Sequence, residues 1–450
     1  MEARGGVTPL SPTLAPHVPM DPAAAPARAA ATDVRAGQQR GTSIENGHFV
    51  LTMMPSLYCA LNCPHCYLSK AERRDTTRLS DAALDRMMAD VAGYYAKKGL
   101  AHVSIHAYQY GGEPTSMGIE AFGSMLDVLD HRFPSDKGFE LRHTILSALV
   151  GVDLDVWAPL VHTRCGGYMQ SSYDGRMRGG GYLTTWMAQM EKARAMGITM
   201  GTISVVNRRL LEDGPEATLD TLAGLGVVEA SFLPFMENLQ NTGKIYDRLA
   251  PTMDAWDRFM IAIGETWIER RARGLHVPES GQMRFVLAQA QRQQALANIA
   301  AQTLFLMPNG DYALPDYKDG WREYMNRFGN GLEMGFEGVL TSTARRAYLR
   351  RQALRNHNPE CQGCPDGTRC VMEFWKPNRA GDSCFGGRGF VGWVMANAHR
   401  IEAADASALG YGVDRGRQPW SAHADLHTWM AGQGALDVRQ GGRLHTASLY

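Results

Sequence analysis

The chain has 450 residues, with 46 Lys and Arg against 46 Asp and Glu, so its formal net charge is zero. That balance implies no dominant electrostatic partner such as duplex DNA or an anionic membrane surface. The 44% apolar content is that of a globular protein, and no run of about 18 apolar residues offers a transmembrane helix.

Residues 1–47 are rich in Ala and Pro, as in MDPAAAPARAAATDV (20–34), and read as a disordered tail too poor in large apolar side chains to fold alone. They carry no signal-peptide pattern, and a cytoplasmic location is the expectation. From residue 48 strand and helix patterns alternate. HFVLTMM (48–54) is a strand ending just before a cysteine-rich loop. Residues 80–99 form a helix with Ser80 as N-cap. Strands follow at 101–110, 139–146, 167–175, 198–206 and 227–235, and helices at 119–133, 182–197 and 218–226. Strands about 30 residues apart with helices between them signal a parallel sheet. Six units over 48–240 fall short of the eight of a full barrel, so the expected fold class is α/β, a partial (β/α)6 TIM-like barrel. Residues 241–300 read as a helical linker built on an amphipathic helix at 253–274. FLMPNGDYALPDYKDGW (305–321) reads as a hairpin about its Pro-Asn-Gly turn, and 401–450 as a polar, Gly-rich tail.

The cysteines carry the chemistry. LYCALNCPHCYLSK (57–70) holds Cys59, Cys63 and Cys66; Cys165 stands alone; Cys361, Cys364, Cys370 and Cys384 cluster near the end. Without an export signal, such spacings favour metal over disulfides. Three thiolates on one loop suit three corners of a cubic [4Fe–4S] cluster, whose fourth iron stays open to a ligand. Structural zinc wants four ligands, and His65 would have to fold back within the same tight loop to be the fourth.

The C-x3-C-x2-C loop at the end of the first strand, with Tyr67 beside the last cysteine, resembles the radical S-adenosylmethionine (radical SAM) superfamily. The segment Gly111-Gly112-Glu113-Pro114 after the second strand matches that family's GGEP motif, which lies beside the methionyl amine. Glycines there permit close backbone approach. The resemblance implies S-adenosylmethionine on the open iron and its cleavage to a 5′-deoxyadenosyl radical. SYDG (172–175) is similar to a strand-end motif of the sulfatase-maturase branch, which places Ser172 and Asp174 near the cofactor ribose; as strand-end turn residues they fit equally well. Where relatives have Thr-Asn-Gly after strand three, this chain has Ser147-Ala148-Leu149.

The distal cysteines resemble the C-terminal SPASM extension of the same branch, expected over 301–400. There two auxiliary [4Fe–4S] clusters are held. Cys361, Cys364, Cys370 and Cys384 match the ligands of one; Phe374 and Pro315 stand where cysteines of the other would be. The same four residues also suit a structural zinc site. Asp316, directly after Pro315, matches a residue that resembles a general base in sulfatase-maturase relatives. As a Pro-Asp pair it also suits a solvated turn.

The resemblance thus implies a radical oxidase or maturase acting on a peptide or protein side chain, fed by a flavodoxin- or ferredoxin-like electron donor. The alternative is a radical dehydrogenase or epimerase of a small sugar- or amino-acid-derived metabolite. It is favoured by an N-terminal stretch of 47 residues, too short for a winged leader-peptide-binding domain. A third class is a non-catalytic redox-sensing iron–sulfur protein. Cys165 is expected to be a core residue; its sharper reading is a hydrogen-atom donor, as in radical epimerases.

Overall fold

The computed structural model describes residues 43–283, 286–287, 299–315, 325–353, 384 and 387–410. Asp316, Cys361, Cys364 and Cys370 lie outside them, as does the end of the expected 305–321 hairpin. Six strands form the centre: β1 (His48–Met53), β2 (Val103–Gln109), β3 (Phe139–Ser147), β4 (Tyr168–Ser172), β5 (Thr199–Val206) and β6 (Glu229–Pro234). Each pairs in parallel with its sequence neighbours. The helices are α1 (Asp81–Lys98), α2 (Ile119–Arg132), α3 (Leu154–Arg164), α4 (Gly180–Ala195), α5 (Arg208–Asp213), α6 (Pro215–Gly224), α7 (Lys244–Leu249) and α8 (Met253–Ala272).

Four more strands extend the sheet. The two-residue β7 (Glu279–Ser280) adds in parallel to β6, and β8 (Thr303–Leu306) adds in parallel to the free edge of β1. The hairpin β9 (Asp311–Pro315) and β10 (Met325–Asn330) continues antiparallel, giving the order β10-β9-β8-β1-β2-β3-β4-β5-β6-β7. This is the expected partial TIM-like barrel, left open with β7 and β10 as its edge strands. The Pro-Asn-Gly turn lies between β8 and β9, with Gly310 at φ +88.

Local chemistry accounts for the elements. Ser80 Oγ accepts from Ala83 N at 3.2 Å and starts α1; Gly99, at φ +64, ends it. The period-two alternation of the strands separates two apolar layers. Phe49 and Leu51 of β1 and Ile105 and Ala107 of β2 pack outward in one core with Leu84, Met87 and Val91 of α1. Val50, Tyr108 and Ile203 point the other way and form a separate inner cluster. Helix α3 has no counterpart in the sequence reading. Its interior Pro159 is a breaker signal, yet Asp153 caps its start and Leu154, Trp157 and Val161 bury its inner face.

Helices at Gly331–Thr341, Thr343–Ala353, Arg388–Ala396 and Ala398–Gly410 follow. The last runs well into the expected polar tail, and Arg400 Nη2 is 2.7 Å from Glu265 Oε2 of α8. No helix among the described residues is long and apolar enough to cross a membrane.

Candidate active site

Parallel β/α sheets offer their ligand sites at the carboxyl ends of the strands, where the loops gather. At that end a cavity of ≈ 210 Å³ opens. The β1 loop gives it Cys59, Cys63, Cys66 and Tyr67, and the segment after β2 gives Gly111, Gly112 and Glu113. Ser172 and Asp174 come from the end of β4, Val205 from β5, and Asn238 from the segment after β6. Pro315 of β9 completes the wall. The residues singled out on the first two strands and on SYDG, scattered over 116 sequence positions from Cys59 to Asp174, therefore share one cavity, Pro114 excepted. Pro114 is buried and opens the short turn Pro114–Met117.

The glycines hold protein, not only ligand. A Cβ on Gly112 would overlap the carbonyl oxygens of Leu57 and Tyr58, and one on Gly111 would come within 2.8 Å of Ser56 O. Gly112 N donates to Ser56 O at 3.1 Å and Glu113 N to Tyr58 O at 2.8 Å. The second strand thereby clamps the root of the cysteine loop.

Glu113 is buried and its carboxylate is well satisfied. Oε1 accepts from Thr115 Oγ1 at 2.6 Å and Ser147 Oγ at 2.8 Å; Oε2 accepts from Ala148 N at 2.8 Å. The Ser147-Ala148-Leu149 departure is thus part of the Glu113 cradle. Leu149, where relatives have glycine, keeps a left-handed backbone at φ +61 and is fully buried.

Asp174 lies behind the cysteine loop. Its Oδ2 accepts from Arg178 Nε at 2.5 Å and its Oδ1 from Val205 N at 2.6 Å, tying β4 to β5. Burial alone would weaken the Arg178 charge; Asp174, with Cys63 adding, outweighs it and holds the guanidinium firmly protonated. His65 turns its Nε2 toward this pair, 3.8 Å from Asp174 Oδ2 and 3.5 Å from Arg178 Nη2. Burial lowers it to about 4, so the ring is neutral. Asn238 Nδ2 donates to His65 O at 3.1 Å and fastens the loop from the β6 side. Tyr67 stacks on Tyr110 with centroids 6.3 Å apart, and Tyr110 on Tyr108 at the same spacing.

Burial pushes all three cavity thiols up, Cys66 to about 11, and near Cys63 the Arg178 guanidinium works in the opposite direction. Free thiolates are disfavoured there; a bound cationic group is what would ionise them. Among the described residues no three His, Cys, Asp or Glu side chains converge on one ion-sized point. Three thiols spread around one cavity suit a group with several metal corners, and the residues present fit such a cluster.

Arg178, Asn238 and Pro315 were absent from the site drawn from sequence. Arg178 had a signal, four residues after Asp174 in DGRMR, and Pro315 had one in standing at a cysteine's place; Asn238 had none. Cys165 sits apart: it caps the end of α3 before β4 begins, at the opposite end of that strand from the cavity, and is buried. Of the distal cysteines, Cys384 is half-buried.

No protein-family model matches this chain, and no curated protein does. Solved structures do. The sulfatase-maturating enzyme anSMEcpe with bound AdoMet superposes with a TM-score of 0.62 at 15% identity, covering 80% of this chain and 99% of that one. Streptococcus suis SuiB bound to its precursor peptide SuiA superposes with a TM-score of 0.52 at 14% identity, covering 74% of this chain and 72% of SuiB. Both of those proteins are radical SAM peptide maturases, and this chain shares their fold. At this identity the likeness is one of fold. The cavity at the strand ends is where this chain assembles its cysteine trio with Gly111, Gly112 and Glu113.

Proposed function

We propose that this protein is a radical SAM enzyme that modifies a side chain of a peptide or protein. One observation carries the reading: a single cavity collects Cys59, Cys63 and Cys66 with Gly111, Gly112 and Glu113. The three cysteines would hold a [4Fe–4S] cluster, and the glycine segment the methionyl end of S-adenosylmethionine. Bound there, the pair would supply an electron and a cleavable sulfonium, the source of a carbon-centred radical able to remove hydrogen from an unactivated C–H bond. The chain's own residues do the positioning. Among the described residues Glu113 Oε2 accepts one hydrogen bond, from Ala148 N, which leaves a lone pair for an amine in the cavity. Arg178 brings buried positive charge beside Cys63 and is oriented by Asp174. Tyr110, Leu146, Ile203 and Phe305 form an apolar wall that keeps water from a reactive intermediate. The peptide substrate is supported by the likeness to anSMEcpe and SuiB, both solved with peptides bound.

Cys361, Cys364, Cys370 and Cys384 are proposed to hold an auxiliary [4Fe–4S] cluster, with a zinc site as the competing occupant. Anaerobic reconstitution tests both parts. The reading expects about eight iron per chain and reductive formation of 5′-deoxyadenosine, abolished in Cys63→Ala. Retention of cleavage in that variant would overturn it; about four iron with one zinc would reassign the distal cysteines.

A further inference from the structure

We infer that an arginine-lined cleft beside the cavity is a docking site for an acidic segment of the peptide substrate. Arg176, Arg208, Arg209 and Arg248, with Glu212, line a surface cleft of ≈ 360 Å³. The inference rests on the peptide reading above and gives that peptide a charge.

The cleft is built by the segments that follow three cavity-lining strands. Arg176 comes two residues after Asp174, just beyond β4; Arg208 and Arg209 open α5, just beyond β5; Arg248 lies on α7, after β6. The same strand ends give Ser172, Val205 and Leu233 to the cavity wall. Cleft and cavity therefore lie at the same, carboxyl end of the strands, within the run of a chain that places one side chain in the cavity and extends its flanking residues across this rim.

Part of this charge is left over by the fold. All four arginines are exposed. Arg176 pairs with Asp213 at 2.5 Å, and Arg208 Nε donates to Ala250 O at 3.2 Å. Among the described residues, no ion pair takes up Arg209 or Arg248. Exposed Lys244, one helical turn before Arg248, extends the basic face of α7. Gathering like charges costs repulsion in a chain whose net charge is zero, and an anionic ligand relieves it. Guanidinium forks pair carboxylates in bidentate fashion. A folded acidic protein needs about 800 Å² of matched surface on each partner. A small recess admits one or two carboxylate side chains of an extended segment instead.

The test is a binding measurement on the full-length protein, read by fluorescence anisotropy. The probe is a fluorescein-labelled ten-residue peptide of alternating Glu and Gly, with its Gln-Gly counterpart as control. We expect the Glu peptide to bind and the Gln peptide not to. R209E/R248E, which removes no side-chain hydrogen bond among the described residues, should weaken binding about tenfold or more, and raised salt should act in the same direction. R78E/R86E, a double reversal outside the cleft, should leave it unchanged. Equal binding by R209E/R248E and wild type overturns the inference. So does displacement by inorganic phosphate alone, which makes the cleft a free-anion site. So does binding of an acidic flavodoxin, but not the Glu peptide, with loss in R209E/R248E, which makes it an electron-donor surface. None of these readouts uses cofactor cleavage, so failure here is distinguishable from failure of the radical SAM reading.

Discussion

Gly112 packs so closely on Leu57 that a Cβ at position 112 would overlap the Leu57 carbonyl oxygen. Two strands that hold opposite halves of the proposed cofactor site are locked at this point, because Leu57 leads directly into the cysteine loop. A methyl group here must push backbone, which cannot swing away as a side chain can. We expect Gly112→Ala to cost about 1–3 kcal/mol of stability and to lower iron retention after reconstitution. Unfolding curves and iron content read the two effects, and wild-type values in both would show the contact to be slack.

Glu113 is held by Thr115, Ser147 and Ala148, and it needs two acceptor oxygens to satisfy them. A glutamine has one acceptor and turns an amide N–H₂ against a donor. Hydrogen bonds to a charged group contribute about 1.5–3 kcal/mol each, so Glu113→Gln is expected to lose most 5′-deoxyadenosine formation. Ser147→Ala removes a single donor and should lose less. A calorimetric titration with S-adenosylmethionine would show the same order in affinity.

Cys165 is buried, and burial pushes its thiol up to about 12. Its place before β4 leaves the length of the strand between it and the cavity. Cys165→Ala is expected to keep its activity and to lose about 1 kcal/mol of stability, the cost of a small core deletion. Reaction in heavy water should leave no deuterium at the reacting carbon. One deuterium per product, lost in the variant, would make the enzyme an epimerase.

Asp257 of α8 reaches across to the helix Arg388–Ala396, where its Oδ2 accepts from Gly389 N at 2.8 Å. Burial raises its carboxyl to about 6, against the lowering effect of the Gly389 and Phe390 amides. The folded state therefore holds a proton that the unfolded chain releases near pH 4. The stabilising contribution is full below that pH and is lost as pH rises through about 6, an effect of about 3 kcal/mol. Asp257→Asn should flatten this slope and be no less stable than wild type at pH 8. Asp257→Ala should be weaker by about 0.5–2 kcal/mol, the worth of a helix cap. Thermal midpoints from pH 4 to 8 for the three proteins decide it.

Asp316 lies outside the described residues, one position past Pro315, which lines the cavity. As a general base it would take a proton from the substrate radical and ease loss of its electron, a contribution of about 10²–10⁴-fold. The expected outcome for Asp316→Asn is continued cleavage of the methionyl cofactor with little product. Product at the wild-type rate across pH would make Asp316 a turn residue.

Strand and helix spacing by itself determined that a parallel β/α series starts at residue 48 and that three thiols sit on the loop after its first strand. Both follow from local pattern: burial repeats every second residue in strands, and ligand spacing within one loop needs no partner from afar. The tyrosine beside Cys66, the GGEP segment and SYDG were likewise legible as short stretches. Helix α3 was not, because Pro159 is a breaker that its buried Leu154, Trp157 and Val161 outweigh. What only the tertiary structure decided is the set of contacts between strand ends. Arg178 faces Cys63 because α4 and β4 bring it under the β1 loop, and Asn238 reaches His65 from 173 residues away. Ser147, read in the sequence only as a departure from the relatives' Thr-Asn-Gly, is a donor to Glu113. The Arg176–Arg248 cleft joins three segments, each carrying an ordinary surface arginine. Such convergence depends on which loops the sheet order sets side by side, and a linear pattern carries no distance between them.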